Sequence, residues 1–319
     1  MAFVLLLGLG LVGSAAAQAT GYPSRPIKII APSAPGGPVD FFSRIVGQKL
    51  SEVLGQPVLV ENHGGAGGTI GVDLVAKAPP DGYTILLGTA ATLAVAPGLY
   101  AKLPYDPLRD LTPVVNVAFA PFVLAVNANV PARSVRELIE LARSKKGSLT
   151  YGSGGIGSMA NLTMELLKSM TGVDILQVPY KGLALVLASV VTGEIDMAFT
   201  DLAAAAPYAK AGTLRLLAAR SSRRPAAAPQ LPTMAEAGID GYAVDIWYGV
   251  VAPAGTPRDI IDKLNSAIVN ALQAADVRQR FDQLGLTAIG DTPEQFGATI
   301  RSDIEKFRRI IKNANIRQQ

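Results

Sequence analysis

A strand-like run, a glycine loop and the start of a helix follow one another within residues 27–55. The loop at 32–40 reads Pro-Ser-Ala-Pro-Gly-Gly-Pro-Val-Asp and separates the apolar run from an amphipathic helix pattern. Gly37 suits the N-cap of that helix, Pro38 its first position and Asp40 its first turn. Because the first N–H groups of a helix have no intrahelical acceptor, this loop is either an ordinary turn between strand and helix or an anion-binding site.

Strand-like runs and helical patterns alternate along most of the 319 residues, which predicts an α/β fold with parallel strands. A chain of this length can form two domains, each with its own core. Strands are predicted at 27–31, 57–61, 83–88, 114–117, 122–127, 149–152, 174–178, 195–199, 213–219 and 246–252. Helices are predicted at 39–54, 68–78, 134–145, 158–171, 182–192, 203–211, 257–274, 276–284 and 293–313, and Gly55, Gly172 and Gly193 serve as stop signals.

Residues 1–19 are predicted to be a secretory signal peptide, because an uncharged apolar run at 2–12 is followed by small residues suited to cleavage. The run is too short to span a bilayer. No Lys or Arg precedes it, so we interpret the n-region as truncated, and a retained N-terminal anchor is the alternative. We therefore expect an exported, soluble, periplasmic protein from which this segment is cleaved, with no later membrane span.

The residue types available to this chain restrict its chemistry. It has no cysteine, which excludes disulfides, thiolate catalysis and cysteine zinc sites. His63 is the only histidine and the acidic residues form no compact cluster, so no metal site is expected. The net charge of +4 is mild, and the densest basic cluster, at 220–224, has no aromatic neighbours. We interpret that cluster as solvated surface and expect no nucleic-acid partner.

Cofactor binding and catalysis are both disfavoured by the motifs that are missing. The glycine-rich segment at 62–71 lacks the third glycine of a dinucleotide-binding loop, since Ile70 stands there, and no phosphate-binding lysine motif occurs. We interpret it as a tight turn and expect no cofactor. A Ser-His-Asp triad would have to use His63, which we interpret as an exposed loop residue, and no Gly-x-Ser-x-Gly elbow is present.

Three further segments end strands in small and hydroxylic residues, at 86–92, 151–158 and 198–201. In open α/β sheets, ligands bind outside the carboxyl ends of the strands. These segments offer backbone N–H groups and hydroxyls, which suit a carboxylate, but no evident nucleophile or base. Together with the loop at 32–40, they favour ligand binding without catalysis.

Ten short motifs in a fixed order give the chain a resemblance to a known family. The chain resembles the exported solute-binding proteins of tripartite tricarboxylate transporters, often called the Bug family, from about residue 22 to residue 316. The motifs lie at 22–27, 36–37, 54–58, 60–62, 65–68, 80–84, 103–107, 151–153, 178–182 and 252–257.

The resemblance implies a two-lobed, periplasmic-binding-protein-like fold of type II, with two Rossmann-like lobes around a ligand cleft. The first lobe is expected to comprise 22–123 plus 250–319, and the second 124–249. The implied function is the capture of a small organic carboxylate and its delivery to the membrane subunits of the transporter, by a monomer that is not an enzyme. A solute-sensing partner of a membrane receptor is the alternative, and an α/β hydrolase or lyase is a weaker one.

The family holds one carboxyl group of the ligand with backbone amides from two loops, often through bridging waters. Pro38 replaces a usual hydroxyl residue and Ser33 a usual aromatic, so affinity is expected to rest on the amides of Gly36, Gly37 and their neighbours. The ligand is expected to be a mono- or dicarboxylate, aromatic acids included. The ligand-binding residues implied by the resemblance are Ser33, Ala34, Pro35, Gly36, Gly37 and Asp40 in the first loop, Ser153, Gly154, Gly155, Gly157 and Ser158 in the opposing loop, and Thr89, Thr92, Thr200 and Asp201 in the distal pocket.

Overall fold

The structure, a computed structural model, describes residues 21–156, 158–283, 285–314 and 316. The predicted signal peptide and Gly157 lie outside the described residues. The strands are β1 (Ile27–Ala31), β2 (Val58–Asn62), β3 (Thr84–Thr89), β4 (Leu111–Ala120), β5 (Phe122–Asn127), β6 (Thr150–Ser153), β7 (Leu176–Pro179), β8 (Met197–Asp201), β9 (Leu214–Ala219), β10 (Ile246–Pro253) and β11 (Thr287–Ala288). The helices are α1 (Pro38–Leu54), α2 (Thr69–Ala76), α3 (Ala96–Leu99), α4 (Val135–Ser144), α5 (Met159–Thr171), α6 (Leu183–Thr192), α7 (Leu202–Lys210), α8 (Arg258–Gln273), α9 (Ala275–Gln283) and α10 (Pro293–Asn313).

The strands form two sheets. The first has the order β11-β4-β10-β3-β1-β2, and the second has the order β7-β6-β8-β5-β9. β1 is parallel to β2 and β3, and β6 is parallel to β7 and β8, whereas β10 and β5 are antiparallel to their neighbours. The predicted α/β fold with parallel strands is therefore confirmed, with β10 and β11 running opposite to the other strands of the first sheet and β5 opposite to the other strands of the second.

The carboxyl edges of the two sheets meet where the chain crosses from one sheet to the other. β4 ends at Ala120 and β5 begins at Phe122, with Pro121 between them. Because β3 and β4 are both antiparallel to β10, Ala120 lies at the same edge as the end of β3. Phe122 pairs with Asp201, the last residue of β8, so the second sheet presents its own carboxyl edge to the crossing. A ligand held at both edges would therefore touch both lobes.

The chain returns to the first sheet at Ile246, which pairs with Ala120. One buried apolar cluster contains residues from both sheets, among them Phe119, Leu124 and Trp247, so the crossing is packed as a core. The lobe boundaries expected at 123/124 and 249/250 stay a prediction.

The α1 helix begins as its sequence predicts. Gly37 is the N-cap with an extended backbone (φ −87°, ψ 175°), and Pro38 occupies the first helical position. Phe42 is fully buried against Phe281 and Tyr248, at ring-centroid distances of 5.5 and 4.5 Å. Burying such a side chain contributes about 1.5 to 3 kcal/mol, which fixes α1 and its N-terminus on the first sheet.

Asp291 gives the fold a predicted pH dependence. Its carboxylate accepts the N–H of Asn116 at 2.7 Å, and burial raises its pKa to about 6. The unfolded chain releases this proton near pH 3.8, so the folded state binds more protons between about pH 4 and pH 6, and stability contributed by Asp291 falls as pH rises through that window. We expect Asp291→Asn to stabilise the protein by about 1 to 2 kcal/mol at pH 7 and by much less at pH 4.5, because Asn keeps an acceptor without the charge.

Urea unfolding of the wild type and Asp291→Asn at both pH values measures that difference. Asp240→Asn is the matched control, since Asp240 is exposed. If the stability difference between the wild type and Asp291→Asn is the same at pH 4.5 and pH 7, the raised pKa of Asp291 is contradicted.

Candidate functional site

A cavity of about 680 Å³ lies between the first loop and the crossing strands. Its wall is mostly apolar and aromatic, and Asp201 is the one charged residue among the described residues that line it. A larger groove of about 850 Å³ lies elsewhere, along α4 and β9, and includes none of the loops at the carboxyl edges. The lining of the smaller cavity is Gly36, Gly37, Pro38, Phe41, Phe42, Ala120, Phe122, Leu183, Asp201, Ala203, Ile246, Tyr248, Gln283 and Leu286.

The N-terminus of α1 presents unused backbone donors at this cavity. No described residue accepts a hydrogen bond from the N–H groups of Gly37, Val39 or Asp40. The N–H of Gly36 is used, because it donates to the Asp40 carboxylate at 3.0 Å. The expectation that affinity rests on the amides of Gly36, Gly37 and their neighbours stays a prediction; in this conformation the Gly36 amide donates within the loop itself.

Asp40 organises the first loop. The Arg44 side chain lies 2.9 Å from its carboxylate, and this contact, followed by the hydrogen bond from Gly36, holds the pKa of Asp40 below its usual value. The carboxyl is almost buried, at 6 % exposure. Asp40 thus neutralises part of the positive end of α1 and fixes the loop in which Gly36 has φ +85°.

The glycine-rich segment at 62–71 supports this loop by close approach. A Cβ on Gly68 would lie 2.8 Å from the Pro32 carbonyl oxygen and from Thr92 Cγ2, and a Cβ on Gly71 would lie 2.9 Å from Pro32 Cα. Only glycine lets α2 come this near to the loop without displacing it. His63 of the same segment is half-buried and lies 3.4 Å from Glu61.

Thr89 and Thr92 hold the turn after β3. The N–H of Thr89 donates to the Thr92 hydroxyl at 3.1 Å, and the N–H of Thr92 donates to the Thr89 hydroxyl at 3.2 Å. Thr92 is 3 % exposed, whereas Thr89 is half-buried and pairs with Tyr248 in β10. Their hydroxyls therefore fix the conformation at the end of β3, beside the cavity-lining residue Tyr248.

Ser153 holds the opposing loop through the hydrogen bonds of its buried side chain. It is fully buried, and its hydroxyl accepts hydrogen bonds from the Gln177 side chain at 2.6 Å and from the Gly155 N–H at 3.1 Å. This network leaves the Ser153 hydroxyl and the Gly155 amide engaged within the loop. The loop tip is open, since the Ile156 side chain is 72 % exposed.

The same loop ends in the N-terminus of α5. Ser158 is the N-cap, and its hydroxyl accepts the Asn161 N–H at 3.3 Å and donates to the Gly155 carbonyl at 2.7 Å. No described residue accepts from the N–H groups of Gly154, Met159 or Ala160. These N–H groups form a second set of candidate donors, on the other lobe.

Asp201 closes the distal side of the cavity as the N-cap of α7. Its carboxylate accepts the Ala204 N–H at 3.0 Å, and burial raises its pKa above the usual value. Tyr248 shares this wall; burial, followed by the charge of Asp201, raises the pKa of Tyr248 to about 12. Thr200, at 2 % exposure, lies behind the wall.

The structure brings three predicted binding residues to the cavity: Gly36, Gly37 and Asp201. Sequence reasoning missed the aromatic wall of Phe41, Phe122 and Tyr248, although Phe122 and Tyr248 stand in the two runs where the crossing was expected. The other described candidates lie outside the lining and stay predictions: Ser33, Ala34, Pro35, Asp40, Thr89, Thr92, Ser153, Gly154, Gly155, Ser158 and Thr200.

The interpretation of 220–224 as solvated surface is wrong for its first two residues, Arg220 and Ser221, since Ser221 is also only 1 % exposed. Arg220 is only 1 % exposed, and its guanidinium lies 4.4 Å from the centre of the Phe122 ring. Arg223 and Arg224 are exposed, as expected. The position of Arg220 directly after the apolar run of β9 was the signal that this arginine could point inward.

The family model described as tripartite tricarboxylate transporter family receptor matches residues 42–316. The chain belongs to this family. The receptor is similar to BugT of Bordetella pertussis, with 37 % identity over 94 % of this chain and 92 % of that protein. It is therefore a solute-binding receptor and not an enzyme, which confirms the resemblance seen in the sequence.

Solved structures confirm the two-lobed periplasmic-binding-protein fold of this receptor. An R. palustris protein solved with adipate shares 35 % identity and a TM-score of 0.75, over 93 % of this chain and 100 % of that one. MatC from Rhodopseudomonas palustris, solved with bound malate, shares 32 % identity and a TM-score of 0.72, over 91 % and 100 %. No helix within the described residues has the length and hydropathy that a membrane span requires.

Proposed function

We propose that this receptor is exported to the periplasm, binds an organic carboxylate between its lobes as a monomer, and delivers it to the membrane subunits of a tripartite transporter. The observation that carries the proposal is the N-terminus of α1, whose first N–H groups have no acceptor among the described residues and adjoin a cavity lined by both lobes. Helix N-termini bind anions through such donors and through the helix dipole. Similar proteins solved with adipate and malate support the choice of a carboxylate.

The binding chemistry uses backbone rather than side-chain donors. One carboxylate of the ligand accepts from the N–H groups of Gly37 and Val39 on the first lobe. When the lobes close, Gly154 and the first residues of α5 approach the same carboxylate from the second lobe. Closure removes water, and hydrogen bonds to a charged acceptor are stronger than neutral ones.

The remainder of the ligand lies against the aromatic wall. Phe41, Phe122 and Tyr248 favour an apolar or aromatic body. Asp201 disfavours a second carboxylate at the distal end, because two like charges in a poorly hydrated cavity repel. The ligand class that fits best is a carboxylate with an apolar body.

Isothermal titration calorimetry with benzoate, hexanoate, adipate and malate tests the proposal. We expect benzoate or hexanoate to bind, with the corresponding neutral amide, benzamide or hexanamide, at least about tenfold weaker. An absence of binding by all four acids would refute the carboxylate proposal, and equal binding of acid and amide would refute the anion site.

Asp201→Asn is predicted to strengthen adipate binding several-fold. The substitution removes a negative charge from the cavity wall, while Asn caps a helix as well as Asp does. Because burial keeps the pKa of Asp201 above its usual value, lowering the pH from 7 to 5 is expected to strengthen adipate binding to the wild type more than to the variant. Calorimetry at both pH values measures this, and Asp282→Asn on the neighbouring α9 helix is the control. Weaker adipate binding by Asp201→Asn would contradict the predicted repulsion.

A further inference from the structure

Arg220 is a buried cation without a matching buried anion. Its Nη1 donates to the Thr163 hydroxyl at 2.8 Å, while no described residue accepts from Nε or Nη2. It forms no ion pair with a described carboxylate: Asp245, the acidic group that acts on it, is held by the N–H and hydroxyl of Ser222. Burying an unpaired charge is costly, so a buried arginine normally has an acidic partner.

The position of Arg220 links the two halves of the proposed site. Its guanidinium lies 4.4 Å from the centre of the Phe122 ring, and Phe122 also lines the cavity. Its hydrogen-bond partner Thr163 lies one turn into α5, the helix whose first N–H groups have no described acceptor. The cation therefore adds to the positive end of α5 instead of offsetting it.

The neighbours of Arg220 hold it in place, but no described carboxylate forms an ion pair with it. Tyr242 fixes the same turn of α5 by donating to the Thr163 carbonyl at 2.9 Å, and Tyr242 is fully buried. Burial lowers the pKa of Arg220 to about 10, so the guanidinium stays charged at pH 7. A hydrocarbon side chain of similar length would fill the same space without the desolvation cost.

We infer that Arg220 is the internal counter-charge for the bound anion and determines the preference of this cleft for carboxylates. This inference rests on the proposed function and adds a residue to it. The guanidinium acts through the Phe122 wall and through the N-terminus of α5, and it need not touch the ligand. Burying the Arg220 guanidinium is unfavourable in the empty protein. A carboxylate that enters the cleft compensates this cost.

The test compares the full-length wild type with Arg220→Met, which keeps the side-chain length and removes the charge. Calorimetry first identifies which of benzoate, hexanoate, adipate and malate binds the wild type most tightly, and that acid is the probe. We expect Arg220→Met to bind it about tenfold more weakly or worse, because the substitution removes the attraction between a buried charge and the bound carboxylate. The urea midpoint of the empty variant should equal or exceed that of the wild type.

Arg223→Met is the matched control, because Arg223 carries the same charge on the exposed surface nearby. Its effect on affinity should vanish at about 0.5 M NaCl, while the ratio of wild type to Arg220→Met persists, since buried charges are poorly screened. This salt response separates an electrostatic role from a structural one. Arg220→Gln, which retains a donor for Thr163, is a second uncharged variant that keeps the test possible if Arg220→Met does not fold.

Unchanged affinity in Arg220→Met overturns the inference, as does a loss of affinity that disappears in high salt. A lowered urea midpoint in both Arg220→Met and Arg220→Gln also overturns it, because the cation would then be compensated in the empty protein. If the wild type binds none of the acids, the proposed function fails, and the urea midpoints alone decide whether Arg220 is uncompensated.

Discussion

Gly37→Leu is expected to weaken carboxylate binding at least about 100-fold while leaving the protein folded. Gly37 has φ −87°, which any residue adopts, and a Cβ there would have no neighbour nearer than the Ala34 carbonyl oxygen at 3.9 Å. The added side chain would project into the cavity and block the free N–H groups of α1. A 100-fold loss corresponds to about 2.7 kcal/mol of binding free energy. Calorimetry with the tightest-binding acid of the panel measures it.

The stability cost of this substitution should be small. Leucine is a poorer N-cap than glycine by about 1 kcal/mol, which lowers the melting temperature of a chain of this size by a few degrees. Gly21→Leu is the matched control, because a Cβ there also has open space and Gly21 is not among the cavity-lining residues. Affinity within about threefold of the wild type in Gly37→Leu would exclude the N-terminus of α1 as the anchor.

The opposing loop can be tested in the same way. A Cβ on Gly154 would lie 3.4 Å from Ser158 Cβ, an ordinary contact, so Gly154→Leu should fold. If both loops hold the carboxylate, each leucine variant loses affinity separately. Loss in Gly37→Leu alone would restrict the site to the first lobe.

Most elements of the fold could be predicted because periodicity and stop signals are local properties of the sequence. β4 extends over Leu111–Ala120, beyond the predicted 114–117. Pro113 is tolerated within it because β11 pairs only with Ala118 and Phe119, so β4 is an edge strand at Pro113. The helical turns at 91–99 and the two-residue β11 were not predicted, since neither is long enough to show a period.

The candidate site was only partly predictable. The cap chemistry of Gly37 and Pro38 is local, so the start of α1 followed from the sequence alone. The meeting of Phe122, Asp201 and Tyr248 depends on the register of three strands far apart in the chain. The inward turn of Arg220 depends on tertiary packing, which no local pattern encodes. The hydrogen bond from the Gly36 N–H to Asp40 joins residues only four apart, but the first-turn position of Asp40 did not by itself indicate which N–H its carboxylate accepts.

Trp247→Ala is expected to cost about 4 to 5 kcal/mol of unfolding free energy. Trp247 is the only tryptophan of the chain and is 1 % exposed in β10, where the chain returns to the first sheet. Its ring meets Phe296 edge to face at 5.2 Å, and its indole N–H donates to Asp303 at 2.8 Å. Truncation opens a large cavity beside these groups, and losses of 3 to 5 kcal/mol are typical even without an orphaned acceptor. Urea unfolding followed by circular dichroism measures the cost.

Trp247→Phe separates packing from hydrogen bonding. Phenylalanine retains most of the ring contact with Phe296 but leaves one oxygen of the nearly buried Asp303 without its donor, which costs about 1 to 3 kcal/mol. Tyr208→Ala, at an exposed aromatic residue, should change stability by no more than about 0.5 kcal/mol. A cost below about 2 kcal/mol for Trp247→Ala would mean that the crossing is not packed as a core. Because β10 is one of the two connections between the lobes, Trp247→Ala should also weaken binding of the probe acid, whereas Trp247→Phe should retain it.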